Sequence, residues 1–149
     1  CSPANSPKVI TVGSMTDAGN ANPADDYVST YSSRGPTLID HYLKPDLVAP
    51  GNRFVAAISY EASLLTELPD REVDCGEDTC DGKYFELSGT SMASPAAAGV
   101  AALIEAANPG IPLGALKTKL KNTADDEGPN GHDEFYGHGF VNARRACSE

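Results

Sequence analysis

Short runs of β-branched and aromatic residues, separated by polar and turn-rich stretches, occupy the first part of the chain. This pattern predicts short strands. They are expected at KVITVG (Lys8–Gly13), in VSTYSSRGP, in the apolar centre of KPDLVAPG (Lys44–Gly51), at RFVAAIS (Arg53–Ser59) and at YFELS (Tyr84–Ser88). The acidic residues 60–83 predict a surface insertion before the last strand. No helical period separates the early strands, so this part cannot cover both faces of a sheet by itself.

The pattern changes to a helical one from Ser91 to about Ala107. Apolar residues lie on nearly every side of this helix, which is typical of a helix buried in a core. NPG ends the helix, LGALKTKLKNTA predicts a shorter amphipathic helix, and GHGFVNARRACSE predicts a Gly-rich strand and a last helical turn. Strands followed by helices predict an α/β layered fold.

The heptapeptide GTSMASP (Gly89–Pro95) joins the last predicted strand to the long helix and places a serine at the junction. One interpretation is that Ser91 caps the helix by accepting a backbone hydrogen bond. The other is chemical, because a hydroxyl at a helix N-terminus lies in a field that favours developing negative charge. Backbone N–H groups at that position can also hold an oxyanion.

Charge and length limit the classes of function. The chain of 149 residues has the length of one domain or of part of a larger one. It has 11 Lys and Arg against 21 Asp and Glu, a net charge of −10, which argues against nucleic acid as a partner. No apolar run approaches the length that spans a membrane, so no membrane association is expected, and no signal peptide is visible.

The four cysteines form an even set, compatible with disulfides in an exported protein. Cys75 and Cys80 flank only GEDT, and a disulfide between them is favoured over free thiols. A metal site is least favoured, because no CxxC pair or nearby histidine completes a set of ligands. Cys1 pairs either with Cys147 or with an upstream cysteine, and the sequence does not choose between them.

Four motifs occur in order along the chain, namely VITVGS, YSSRGP, KPDLVAPG and GTSMASP with its helix. In this order and approximate spacing, the chain from about Ser2 to Ala146 resembles the subtilisin-like serine proteases. The resemblance implies the C-terminal half of a three-layer catalytic domain with a mainly parallel central sheet. It also implies a secreted serine endopeptidase that acts through an acyl-enzyme on Ser91.

The resemblance assigns roles around the helix start. Ser91 is the nucleophile, and its backbone N–H is one donor of the oxyanion hole. Gly89 and Thr90 form the tight approach to the nucleophile, where a bulky side chain would obstruct the substrate, and Met92 lies beside it. Pro95 suits the first helical turn, where its missing N–H costs little.

Other parts of the family's machinery have no match. The motifs that carry the catalytic Asp and His are missing, and His41, His132 and His138 are expected to be surface residues. Asn5 is too close to the VITVG strand to be the family's oxyanion asparagine. The resemblance therefore implies an N-terminal segment as partner, with proteins or peptides as substrates. A subtilase-like domain that only binds or supports structure is the alternative, and the cleavage preference is not indicated.

Calcium binding is suggested by the resemblance alone, because Asp17, Asp40 and Asp46 lie in or near segments where relatives often bind calcium. The run DAGNANPADD (Asp17–Asp26) offers several oxygen ligands but lacks EF-hand spacing. Solvated loop charges are the expectation, and no ligands are assigned. A structural calcium ion stays open, whereas the chemistry itself requires no cofactor.

Overall fold

The computed structural model describes residues 2–20, 25–74 and 83–148. Within these residues, strands occupy the first part of the chain and long helices the second. The elements are β1 (Val12–Thr16), β2 (Tyr27–Val28), β3 (Leu47–Pro50), β4 (Phe54–Ile58), α1 (Leu64–Glu67), β5 (Glu72–Val73), β6 (Lys83–Leu87), α2 (Thr90–Ala107), α3 (Leu113–Asn122) and α4 (Ala143–Ser148). None of the helices in the described ranges is both long and apolar enough to cross a membrane.

The first sheet has the strand order β2-β1-β3. Strands β1 and β3 are parallel and align Val12 with Leu47, whereas β2 is antiparallel to β1 and aligns Val28 with Met15. A further parallel bridge joins Val48 to Phe140. The mainly parallel sheet expected from the sequence is therefore present only in part within the described residues.

Strand β1 begins four residues later than the predicted strand Lys8–Gly13. Lysine side chains donate hydrogen bonds to backbone carbonyl oxygens in the segment just before β1. The Lys117 ammonium donates to the carbonyl oxygens of Pro7 at 3.0 Å and Val9 at 2.6 Å. Lys44 also donates to the Val9 carbonyl, at 3.1 Å. These contacts replace strand pairing before Val12.

Helix α2 packs against β1 and β3 and forms the centre of the core. Its buried residues are Ala93, Ala97, Val100 and Ile104, which pack with Leu47, Ala49, Leu116, Leu120 and Ala146. The opposite side of the helix is not covered: Gly99 and Ala102 are exposed, and Leu103 is 53% exposed. The described residues therefore cover only one side of this apolar helix, and its burial on nearly all sides stays an expectation for the domain completed by an N-terminal segment.

Pro95 does not lie in the first turn of α2, as the sequence suggested. The helix begins at Thr90, so Pro95 is its sixth residue and lies in the second turn. A proline there cannot donate to the carbonyl four residues earlier, which belongs to Ser91. The proline thus removes one helical hydrogen bond from the carbonyl of Ser91.

The second sheet is antiparallel, with the order β4-β6-β5. Strands β4 and β6 form a long hairpin in which Phe54 pairs with Leu87 and Ile58 pairs with Lys83. The predicted acidic insertion connects these strands. Its described part, residues 60–74, has no buried side chain, contains α1 and adds β5 to the edge of β6.

The predicted Gly-rich strand near the C-terminus is reduced to single bridges. Phe140 pairs with Val48 on one side and with Asp125 on the other. Gly137 and Gly139 have φ angles of 66° and 109°, which interrupt an extended run. Helix α4 follows directly and buries Ala146 against the core.

Candidate active site

Ser91 lies at the point where β6 gives way to α2. The helix begins at Thr90 with Gly89 as the preceding residue, and no side chain caps it. Ser91 is thus the second helical residue, and its side chain is exposed. Within residues 2–20, 25–74 and 83–148, its hydroxyl makes no hydrogen bond. The geometry therefore does not support the interpretation of Ser91 as a cap.

The backbone N–H of Ser91 is a hydrogen-bond donor next to the Ser91 hydroxyl. The N–H of Met92 donates to the Gly89 carbonyl at 2.9 Å. The N–H of Ser91 has no acceptor in the described part of the chain, as expected for the first turn of a helix. Unpaired N–H groups at this end of a helix favour a bound negative charge. Ser91 thus combines a free hydroxyl with a free donor.

Gly89 has open space on its side-chain face. A Cβ atom there would lie 3.7 Å from the Met92 sulfur and 3.7 Å from the Ser91 nitrogen, which are ordinary contacts. Nothing in the described residues thus requires a glycine at this position. Thr90 and Met92 are half-buried on either side of Ser91. The arrangement leaves room for another molecule beside Gly89.

The structure does not bring a histidine to Ser91. His132 and His138 stack on each other, with ring centroids 4.2 Å apart. Burial lowers the pKa of His138 to about 4, and the nearby charges of His132 and Lys121 act in the same direction. His41 and His132 line a cavity of about 340 Å³ together with lysines, and Ser91 is not among the residues that line it.

The comparisons with known proteins now identify the family. A model described as the Subtilase family matches residues 1–139. The chain belongs to the subtilase family. It is 41% identical over 150 residues to Serine protease AprX of Bacillus subtilis (strain 168), an alignment that covers 97% of this chain. Subtilisin-like protease SBT4.3 of Arabidopsis thaliana is 40% identical over 124 residues, which cover 80% of this chain. This subtilase chain spans 31% of AprX and 16% of SBT4.3.

Solved structures agree on the fold of this subtilase. Fervidolysin from Fervidobacterium pennivorans, described as a keratinolytic enzyme related to subtilisin, has a TM-score of 0.76 and 28% identity. The likeness covers 99% of this chain and 20% of fervidolysin. The CspB protease of Clostridium perfringens has a TM-score of 0.67 and 26% identity, covering 97% of this chain and 27% of that protein. The chain therefore has the α/β architecture of the subtilisin fold.

Asp46 of the KPD motif is held by two lysines. Its carboxylate lies 2.5 Å from the Lys44 ammonium and 3.2 Å from that of Lys117, and it accepts the Thr11 N–H at 2.8 Å. Burial raises the pKa of Asp46, but hydrogen bonds from Lys44, Thr11 and Lys117 outweigh it and hold the pKa below its ordinary value. This subtilase motif therefore fixes the start of β1, and Asp46 does not fit a calcium ligand.

The other carboxylates considered for calcium have local partners. Asp40 accepts a hydrogen bond from the Thr37 hydroxyl at 2.5 Å, and Asp17 accepts one from the N–H of Gly19. No group of three or more His, Cys, Asp or Glu residues suited to a metal ion occurs in the ranges that the structure describes. Residues 21–24 of the acidic run lie outside those ranges, and a structural calcium ion, for which the sequence assigned no ligands, stays an open question.

The predicted disulfide between Cys75 and Cys80 lies in residues 75–82, which are outside the described residues. Cys147 is an exposed free thiol. We expect Cys75 and Cys80 to be joined, because four intervening residues permit closure and the described part of the acidic insertion, residues 60–74, has no buried side chain. Such a short loop gains at most about 2–3 kcal/mol. Peptide mapping without reduction measures the pairing, and a Cys75 peptide linked to Cys1 or Cys147 would exclude it.

Sequence reasoning missed the residues that support the turn before Ser91. Gly51, the last residue of KPDLVAPG, accepts the Gly89 N–H at 2.8 Å. A Cβ atom on Gly51 would collide with the Ser14 hydroxyl and lie 2.8 Å from the Gly89 oxygen. The glycine that ends the motif was the available signal, since close backbone approach is one reason for a glycine.

Proposed function

We propose that this chain supplies the nucleophile and one oxyanion donor of a subtilisin-like serine endopeptidase. The observation that carries the proposal is the exposed, unbonded hydroxyl of Ser91 beside its own unbonded N–H at the start of α2. Membership of the subtilase family supports serine protease activity in general. The activity, the peptide substrates and a secreted location remain proposals for the whole protein of which this chain spans a part.

The geometry suits acyl transfer. The Ser91 oxygen attacks the carbonyl carbon of a peptide bond, and its proton passes to a base. The negative charge that develops on the carbonyl oxygen is stabilised by the N–H of Ser91 and the positive end of α2. As the intermediate collapses, the base returns this proton to the amide nitrogen, the C–N bond breaks, the amine leaves and an acyl ester remains on Ser91. Water then hydrolyses this ester and regenerates the hydroxyl.

The base must come from outside the described residues. None of the histidines in the described ranges hydrogen-bonds Ser91, and His138 is stacked on His132. The family's catalytic order places Asp and His before the serine in the chain. An N-terminal segment of the same catalytic domain is therefore proposed to supply the Asp, the His and the asparagine of the oxyanion hole.

The fold offers surfaces for that segment. Exposed Gly99, Ala102 and Leu103 form an uncovered apolar face of α2, although most residues of such a helix are expected to be buried. In β1, Val12 and Gly13 have a strand neighbour only in β3 among the described residues, since β2 pairs with Met15 and Thr16. A helix face and a strand edge are thus available to the rest of the domain.

The experiment compares the 149-residue chain alone with the same chain joined to its upstream segment. We expect a fluorophosphonate to label Ser91, and no other serine, only in the completed domain. The isolated chain should also lack a cooperative thermal transition, because the uncovered face of α2 leaves several apolar side chains in water. At ~25 cal/mol per Å² of apolar area, this loss amounts to several kcal/mol, comparable to the stability of a domain.

The alternative is a subtilase-like domain that binds or supports structure without catalysis. A cooperative, monomeric isolated chain whose completed form resists the fluorophosphonate would favour this alternative. Mass spectrometry of the undenatured protein adds an independent test, since a bound second polypeptide that carries Asp and His motifs favours the protease.

A further inference from the structure

Four hydroxyl groups form a line of hydrogen bonds that ends at the carbonyl oxygen of Gly51, and this oxygen also accepts the N–H of Gly89, two residues before Ser91. The Thr16 hydroxyl lies 2.9 Å from that of Ser29, which lies 3.0 Å from that of Ser14. The Ser14 hydroxyl lies 3.0 Å from that of Tyr31, which donates to the Gly51 carbonyl at 3.0 Å. We call Thr16, Ser29, Ser14 and Tyr31 the hydroxyl chain. Ser14 and Ser29 are fully buried.

The protons of the hydroxyl chain have one consistent arrangement. A carbonyl oxygen only accepts, so the single proton of Tyr31 goes to Gly51. Ser14 must then donate to Tyr31, Ser29 to Ser14, and Thr16 to Ser29. All four bonds therefore point the same way, and bonds aligned in a chain strengthen one another.

The carbonyl that ends the hydroxyl chain also holds the turn before the nucleophile. The Gly51 oxygen accepts the Gly89 N–H at 2.8 Å, and Gly89 in turn accepts the N–H of Met92 at 2.9 Å. Other atoms approach Gly51 closely, because a Cβ atom there would lie 3.0 Å from the Ala93 Cβ and would collide with Ser14. The position of Gly89 is thus set by Gly51.

We infer that the hydroxyl chain is a positioning device for Ser91, with Tyr31 and Ser14 as its essential members. Ser91 has no side-chain hydrogen bond of its own in the described residues, so its orientation depends on the backbone that begins at Gly89. Tyr31 fixes that backbone through Gly51. The inference rests on the proposed function, because it assigns these residues to the attack by Ser91. Tyr31 is 45% exposed, so its hydroxyl can be removed with little change in packing.

The test uses Tyr31→Phe in the completed protease, with the rate of fluorophosphonate acylation and the kcat and KM of peptide hydrolysis as readouts. Loss of one hydrogen bond that holds the turn is expected to slow acylation and lower kcat about threefold to tenfold, with KM unchanged. Tyr27→Phe is the matched control: Tyr27 is 51% exposed and lies in the neighbouring strand β2, outside the hydroxyl chain. This control should acylate at the parent rate.

A coupling measurement separates positioning from a general loss of stability. Ser14→Ala alone should slow acylation by less than Tyr31→Phe, because the bond from Tyr31 to Gly51 remains but loses the aligned donor that strengthens it. In the Tyr31→Phe background, Ser14→Ala should cause no further loss, since both substitutions act through Gly51. A merely structural role would instead lower the unfolding temperature in both backgrounds and leave the acylation rate of the folded enzyme unchanged.

The outcomes distinguish this inference from the proposed function. A parent enzyme that is labelled at Ser91, together with a Tyr31→Phe variant that acylates equally fast, overturns the positioning role alone. Independent, multiplicative losses from Tyr31→Phe and Ser14→Ala overturn it as well. A completed parent domain that resists labelling overturns both proposals. Slower acylation in Tyr31→Phe but not in Tyr27→Phe, with non-additive coupling, supports the hydroxyl chain.

Discussion

Replacing Ser91 by alanine in the completed protease is expected to lower kcat about 10⁶-fold, the loss found for the nucleophile of subtilisin, a member of the same family. Without the Ser91 oxygen no acyl-enzyme can form, and only substrate binding and oxyanion stabilisation remain. The thermal unfolding temperature should hardly change, because the Ser91 side chain is exposed and makes no hydrogen bond in the described residues. Peptide hydrolysis and fluorophosphonate labelling measure the first effect, and calorimetry the second.

Ser63→Ala is the matched control for this substitution. Ser63 is an exposed serine directly before helix α1, and its side chain makes no capping hydrogen bond. The control should retain full hydrolysis and full labelling. Labelling that persists in Ser91→Ala would show that another residue carries the chemistry.

The substitution Asp46→Asn is expected to lower the free energy of unfolding of the completed domain by about 3 kcal/mol, because it leaves two lysines without their shared counter-charge. The Lys44 side chain is only 8% exposed and that of Lys117 18% exposed, so neither charge is well solvated. Chemical denaturation measures the change. Asp70→Asn is the control, since Asp70 is exposed in the 3₁₀ turn Pro69–Arg71 and should change stability little. Equal stabilities of the two variants would contradict this role of Asp46.

The same carboxylate predicts a pH dependence. The pKa of Asp46 is lower in the folded chain than its ordinary value of 3.8. A lowered folded pKa contributes stability that is fully present above about pH 4 and is lost as the pH falls through the folded value. The parent domain should therefore lose stability in that acid window, whereas Asp46→Asn should lack this part of the loss. Denaturation midpoints measured from neutral pH to about pH 2 provide the test.

The sequence predicted the elements that local pattern determines. Helix α2 begins at Thr90, one residue before its predicted start, and ends at the predicted Ala107. Strand β4 (Phe54–Ile58) lies within its predicted run and β6 (Lys83–Leu87) almost matches its own, because short runs rich in β-branched or aromatic residues favour strands locally. The family motifs also indicated Ser91 as the candidate residue, which the structure places on the exposed start of α2.

The remaining features depend on partners that are distant in the sequence. The displaced start of β1 results from Lys117, which lies 108 positions after its acceptor Val9. Strand β1 also carries buried hydroxyl residues, and the pattern of apolar residues does not detect a strand whose polar side chains bond to one another. The hydroxyl chain was missed for this reason. The sequence indicated that the visible strands cover only part of α2, but an apolar helix does not show in its own sequence which chain covers the rest.

Ile58 and Lys83 are paired directly across the second sheet, and the acidic segment leaves the sheet at one and returns at the other. Its two ends are therefore already adjacent, whatever lies between them. Extra residues at this place add only about 0.6 kcal/mol of closure entropy for each doubling of length. Strand β6, which leads to Ser91, pairs along its whole length with β4, and the segment adds only the two-residue strand β5 to its other edge. The length and charge of the segment can thus change while β4 and β6, which leads to Ser91, keep their register.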